Sequence, residues 1–286
     1  MIRLVLITIF FLHNLSSYGQ EFELLGKMGN FEGASAFFIT PVGFIFISDA
    51  ERNEISKYDT SGRKIISIGG YGWQESSFDD PADIFATTLD VYVTDKNNNR
   101  IQIFDKDLNY LSSFTSKPYE STEYQFAYPI SCATSNQGDL FILDSDNSRL
   151  LKFNLTGDFL TDIGGIDAGE YTLNNPYKLA ISSDSKIYIS DSNQIIVFDL
   201  FGNGLLKFKT SLDNPNINIT NDYLSANDNN KIIIINLKNP SKVIIEFTGE
   251  KYALEDDIVE ASLFNNKLFI LTDHSILKYK LPNNEK

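Results

Sequence analysis

Four positions bring acid, hydroxyl and amine groups into one pattern. Asp83, Ser131 and Lys178 each stand two places after a proline, at Pro81, Pro129 and Pro176, and Glu260 takes the corresponding place near the C-terminus. Two carboxylates such as Asp83 and Glu260 facing one divalent ion would polarise water or a carbonyl for a hydrolase or lyase. With Lys178 among them, an ion pair in a wet channel is the simpler expectation. A second set recurs as Asp49, Asp95, Asp144 and Asp191, each with Asn, Ser or Arg within the next three residues. Asp144-Ser145-Asp146-Asn147 has the oxygen spacing of a calcium-loop start, but it lacks the glycine and distal glutamate that complete such a loop. Fourfold repetition fits a scaffold better than a ligand, so Asp95 and Asn99 are expected to cap a hairpin backbone, with Arg100 and Arg149 reaching to a carboxylate.

Other chemistries are pruned by what the chain contains. Residues 1–19 carry Arg3, an apolar core from Leu4 to Leu12, and Ser17 and Gly19 at the small positions before a cut. That pattern is expected of a secretory signal peptide leaving Gln20 first, with no cysteine near the cut for a lipid anchor. The expected product, residues 20–286, is a single domain, periplasmic or extracellular, and monomeric. His13 leaves with the leader, so His274 is the remaining imidazole and a three-histidine zinc site cannot be built from one chain. No Ser-His-Asp set is assignable, and His274, beside Asp273, is expected on a solvent-facing loop. Cys132 is the one cysteine and, in ISCAT, reads as a packing residue. A formal charge of -14 repels phosphates, which excludes a nucleic-acid partner.

The elements that position these groups are set by a period. Aromatic residues at Tyr58, Phe104, Phe153, Phe198, Phe247 and Tyr279 are spaced 46, 49, 45, 49 and 32 residues apart. Most of these match the roughly 40 to 50 residues of a four-stranded propeller blade, with the last one compressed. Runs such as FIFI, VYVT, LFIL, IYIS and IIII are apolar at nearly every position, as second strands covered on both faces require. Gly62, Gly157 and Gly202 suit the positive φ of a short hairpin, and Asn109 takes that place in the copy without glycine. The segment Phe22 to Met28 resembles an outer strand with no blade of its own, while the last repeat lacks one. The all-β expectation is therefore a six-bladed β-propeller closed by an N-terminal outer strand, with Leu24, Leu25 and Met28 buried by the closure.

The sequence PADIFATTLDVYVTDKNNNRIQIF, with GGYGWQESSFDDP before it, resembles NHL-repeat propellers. The likeness is specific in blades one to four and weak in blade five, where Asn236 takes the aspartate position. It implies a six-bladed toroid without fixing one activity. Lactonase-type propellers place a metal-binding Glu, Asn and Asp set in their channel, whereas Asp83 and Glu260 here have Lys178 between them. The crossovers between blades differ from one another and carry Tyr71, Trp73, Phe78, Tyr119, Tyr124, Tyr128, Tyr171 and Tyr177 beside glutamates. Phe78 and Phe126 are expected to plug between blades. Tyr71, Trp73, Tyr119 and Tyr171 are the candidates to meet a protein, peptide or glycan. The favoured reading is a non-enzymatic, exported interaction module needing no cofactor. The alternative is a metal-dependent hydrolase or lyase, calcium being the cation to consider.

Overall fold

The computed structural model describes residues 21–116, 124–238 and 243–282. Among these described residues, twenty-four strands form six four-stranded antiparallel sheets. Five sheets are sequential meanders, with inner strands Ala34–Ile39, Pro81–Ala86, Pro129–Thr134, Pro176–Ile181 and Asn216–Thr220. The sixth runs from the inner strand Ile258–Phe264 through Lys267–Thr272 and Ile276–Lys280 to an outer strand, Glu23–Met28, taken from the other end of the chain. Pairing of Leu24 with Tyr279 and Met28 with Ile276 closes the ring.

Second and third strands are buried along almost their whole length because each sheet is covered by a neighbour on both faces. Outer strands face solvent on the rim, and this overturns one expectation. Leu24 and Leu25 are 53% and 41% exposed; Phe22 and Met28 carry the apolar burial of the closing segment. Phe22 packs edge-on against Phe247 and Tyr252.

Two further expectations shift in register. In blade five the isoleucine run Lys231–Asn236 is the third strand, and the shorter, more polar Tyr223–Asn227 is the second. Hence Asp228, not Asn236, takes the aspartate position, and Phe247 lies in the outer strand Val243–Thr248. A third strand is as deeply covered as a second, so the apolar run alone could not tell them apart. With Ile235 as the equivalent of Phe198, that interval contracts to 37 residues and the compressed repeat is blade five. In the turn of blade two the left-handed residue is Leu108 (φ 62°) rather than Asn109. Leu108 is buried in the core, and the Asp105 carboxylate takes the N–H groups of Asp107 and Asn109, so packing and an Asx turn outweigh the steric preference for asparagine. Gly62, Gly157 and Gly202 have positive φ as expected.

Lysines tie blade to blade. Lys57 is buried and donates to the Lys106 carbonyl (2.6 Å) and to Asp107 (2.8 Å) in the next blade. Lys152 repeats this on the Leu200 carbonyl, and Lys278 reaches Thr60 across the closure. Ile103, Val197 and Ile234 occupy the same position in the other blades.

Candidate functional site: an axial charge cluster and a crossover face

Inner strands begin with a bulge after the crossover in blades one to four and six, which turns one side chain per blade toward the axis. Asp83, Ser131, Lys178 and Glu260 meet there. Lys178 Nζ lies 2.5 Å from Asp83 Oδ1 and 3.3 Å from Glu260 Oε1. Ser131 Oγ donates to Asp83 Oδ2, and Asn218 Nδ2 to Glu260 Oε1 (3.1 Å). The Phe37 N–H donates to Glu260 Oε2 (3.0 Å). Every blade thus contributes a group to one network.

The network is buried: Glu260 fully, with Asp83 2% and Lys178 8% exposed. A cavity of about 60 Å³ lies against it, lined by Asp83, Lys178, Asn218 and Glu260 together with Phe38, Phe85, Ile181 and Ile219, which is room for water beside the ion pair. Burial pushes the Glu260 carboxyl above the ordinary range, Lys178 pulling it back and Asp83 adding to the rise. Burial presses the Lys178 ammonium down, but the Asp83 and Glu260 charges outweigh it and hold the group above its usual value. A lysine fixed between the two carboxylates supplies the positive charge a metal would bring, so this donor set does not fit a catalytic divalent ion. Among the described residues no three His, Cys, Asp or Glu side chains are grouped to hold one.

The repeated aspartates bind backbone, mostly that of the preceding crossover, while Asp49 also takes the Arg52 N–H of its own hairpin. Asp49 accepts from the Glu32 and Gly33 N–H groups, Asp95 from Asp79, Asp144 from Ala127, and Asp191 from Asn174 and Asn175, all in the preceding crossover. Asn53 and Asn99, both left-handed, accept from Asp80 and Tyr128 in the next crossover. These caps fix the loops of one face from beneath.

In blade two the fixing is most complete. Arg100 Nε donates to the buried Asp95 carboxylate (2.7 Å) while its other nitrogens donate to the carbonyls of Trp73, Gln74 and Ser77. Asn98 donates to the Gly72 carbonyl, and Gln102 both donates to Ser77 O and accepts from Ser76 N–H. A bridge from Tyr71 to Phe78, which is fully buried, pins the base of the loop. Yet the two aromatic side chains it carries stand in solvent: Tyr71 is 75% exposed and Trp73 70%.

The remaining candidates fall elsewhere. Tyr171 is half-buried, its ring laid over Gly204, where an added Cβ would come within 2.2 Å of it. That makes it a packing residue of blade four. Tyr119 lies outside the described residues. Tyr128 and Tyr177 are exposed at the starts of the inner strands, Tyr124 stacks on Phe159, and Phe126 is buried as a plug. His274 is exposed, its Nδ1 3.3 Å from the Phe31 carbonyl. Cys132 is buried, with its thiol pushed up to about 12 by desolvation first and the Asp83 charge second.

Comparison with known proteins agrees with this architecture. The NHL repeat model matches residues 78–104, the span that carries Asp95, Asn98, Arg100 and Gln102. Protein brain tumor of Drosophila melanogaster is 28% identical over 149 residues, half of this chain and 14% of that protein. B-box type zinc finger protein ncl-1 of Caenorhabditis elegans is 28% identical over 148 residues, again half of this chain and 17% of the relative. The matched region is therefore less than a fifth of either curated relative. Among solved structures, a catalytically inactive virginiamycin B lyase from Staphylococcus aureus with quinupristin superposes at a TM-score of 0.63, with 16% identity, over 91% of this chain and all of that one. A streptogramin B lyase gives 0.61 with 14% identity, over 91% and 98%. At such identities the likeness is one of fold.

Proposed function

We propose that this NHL-type, six-bladed propeller is a non-enzymatic binding module, exported by its leader, that takes a protein, peptide or glycan partner on its crossover face. The observation that carries the proposal is the Tyr71–Trp73 pair. An exposed aromatic pair on a backbone held by Arg100, Asn98 and Gln102 loses little ordering entropy when it is covered, which is the property of an interface anchor. Loops mounted on a stiff scaffold are the usual seat of such contacts. The buried, lysine-filled axis supports a structural role for Asp83 and Glu260 over a metal-dependent one.

The test is binding of the purified protein to peptide and glycan arrays, in parallel with a Tyr71→Ala/Trp73→Ala variant of unchanged melting temperature. Signals that the variant loses support the reading; signals it keeps in full would remove the aromatic pair from the interface. Export is tested by expressing the full chain and sequencing the N-terminus of the product, which should begin at Gln20.

A further inference from the structure

We infer that the partner of the crossover face is a cationic polypeptide, a lysine- or arginine-bearing segment whose charged side chains pack on Tyr71 and Trp73. This rests on the binding reading above and narrows it to one chemistry.

The two faces of the disc differ in charge. Among the described residues, the loops of the crossover face (the crossovers and the turns between second and third strands) hold 15 Asp and Glu against 3 Lys and Arg. Loops of the opposite face hold 5 against 3. Most of the excess negative charge of the chain is thus gathered on the side that displays the aromatic pair.

The few cations there are already engaged. Arg52 pairs with Glu32 (3.2 Å), Lys96 with Asp80 (2.7 Å), and Lys251 lies over the Tyr252 ring (5.4 Å). By contrast Glu51, Glu75, Asp146, Asp167 and Asp213 make no ion pair among the described residues. Glu75 is two residues from Trp73 on the same fixed loop.

Chemistry then selects the partner. An aromatic face attracts a cation by its quadrupole, with an energy of about 0.5–1 kcal/mol at an exposed site, more once desolvated. Surrounding carboxylates steer and orient the same cation, whereas they repel an acidic peptide and add nothing for a neutral sugar. A planar guanidinium or an ammonium on an alkyl stem satisfies both features at once. A neutral glycan would use the rings and leave the charge without a role.

Trp73 is the single tryptophan of the chain, so its emission reports directly on occupancy of the pair. The experiment titrates the full-length protein with a decapeptide of alternating lysine and glycine, its glutamate counterpart, and chitohexaose, following Trp73 emission and heat. The lysine peptide should shift the emission and bind at least tenfold more weakly at 500 mM than at 50 mM NaCl. Glu51→Gln/Glu75→Gln/Asp146→Asn should weaken it at least fivefold, and so should Tyr71→Ala/Trp73→Ala, read by heat. The opposite-face control Asp184→Asn/Asp222→Asn should leave it unchanged, and the glutamate peptide should be silent.

The inference is overturned if the lysine peptide leaves Trp73 emission unmoved, or if the opposite-face control weakens binding as much as the crossover variant does. Chitohexaose separates the two levels. A shift of Trp73 emission by the sugar with none by the lysine peptide overturns the cationic partner and keeps the binding face. Silence of both, with no array signal lost in the aromatic variant, overturns the face as well.

Discussion

Replacing Lys178 by methionine isolates what the axial cluster contributes. The substitution keeps the length of the side chain and removes its charge, leaving Asp83 and Glu260 buried in one network without a cation. Breaking a buried ion pair by deleting one partner costs about 3–5 kcal/mol, because the charge left behind is buried without its counter-ion. For a chain of this size 1 kcal/mol corresponds to roughly 2–4 °C, so the melting temperature should fall on the order of 10 °C. Glu260 is already biased toward its neutral form by burial, so lowering the pH from 7.5 to 5 should return part of the loss. The triple variant Lys178→Met/Asp83→Asn/Glu260→Gln removes both stranded charges and should recover at least half of it. Urea unfolding and calorimetry at the two pH values measure all three effects. A single variant within about 1 kcal/mol of wild type, or a triple variant as unstable as the single, would refute a buried, mutually compensating cluster.

Four other outcomes follow from the same geometry. Because the folded-state Glu260 carboxyl lies above its ordinary range, its contribution is fully present below the unfolded value and fades as pH rises through the folded one. Glu260→Gln should therefore flatten the loss of stability from pH 5 to 8, seen by urea titration at each pH. Arg100→Ala strands the buried Asp95 and frees three carbonyls of the Trp73 loop, with an expected cost of about 3 kcal/mol and a faster protease cut between residues 71 and 77. Deleting residues 21–29 removes the strand that pairs with Ile276–Lys280 and should give aggregated or molten protein, whereas a cooperative, monomeric deletion product would count against closure. Cys132 should ignore a thiol reagent in the native protein and react only after unfolding, since its thiol is buried and protonated.

What the sequence made legible was whatever repeats with a fixed offset. The aspartate before each second hairpin, the turn glycines and the axial residues two places after a proline all recur at one place in a blade, so their neighbours follow from the fold. What stayed hidden depends on the surroundings of a single copy. Nothing in KIIIIN says whether it is a second or third strand, because both are covered on two faces. Leu24 and Leu25 look like core residues, yet an outer strand has no neighbouring sheet beyond it. The roles of Lys57, Lys152 and Lys278 are absent from the sequence pattern, because each reaches the hairpin of the next blade only once the blades are stacked. Exposure of Trp73 was an expectation from loop position; the scaffold of Arg100, Asn98 and Gln102 that holds its loop was not visible, since it consists of contacts between hairpin and crossover that no spacing records.

The strand Glu23–Met28 is made before every other strand of the ring, and its partner Ile276–Lys280 after all of them. The toroid cannot lock until both exist, and its most distant pairing is also the one that completes it. A chain built this way stays open during elongation.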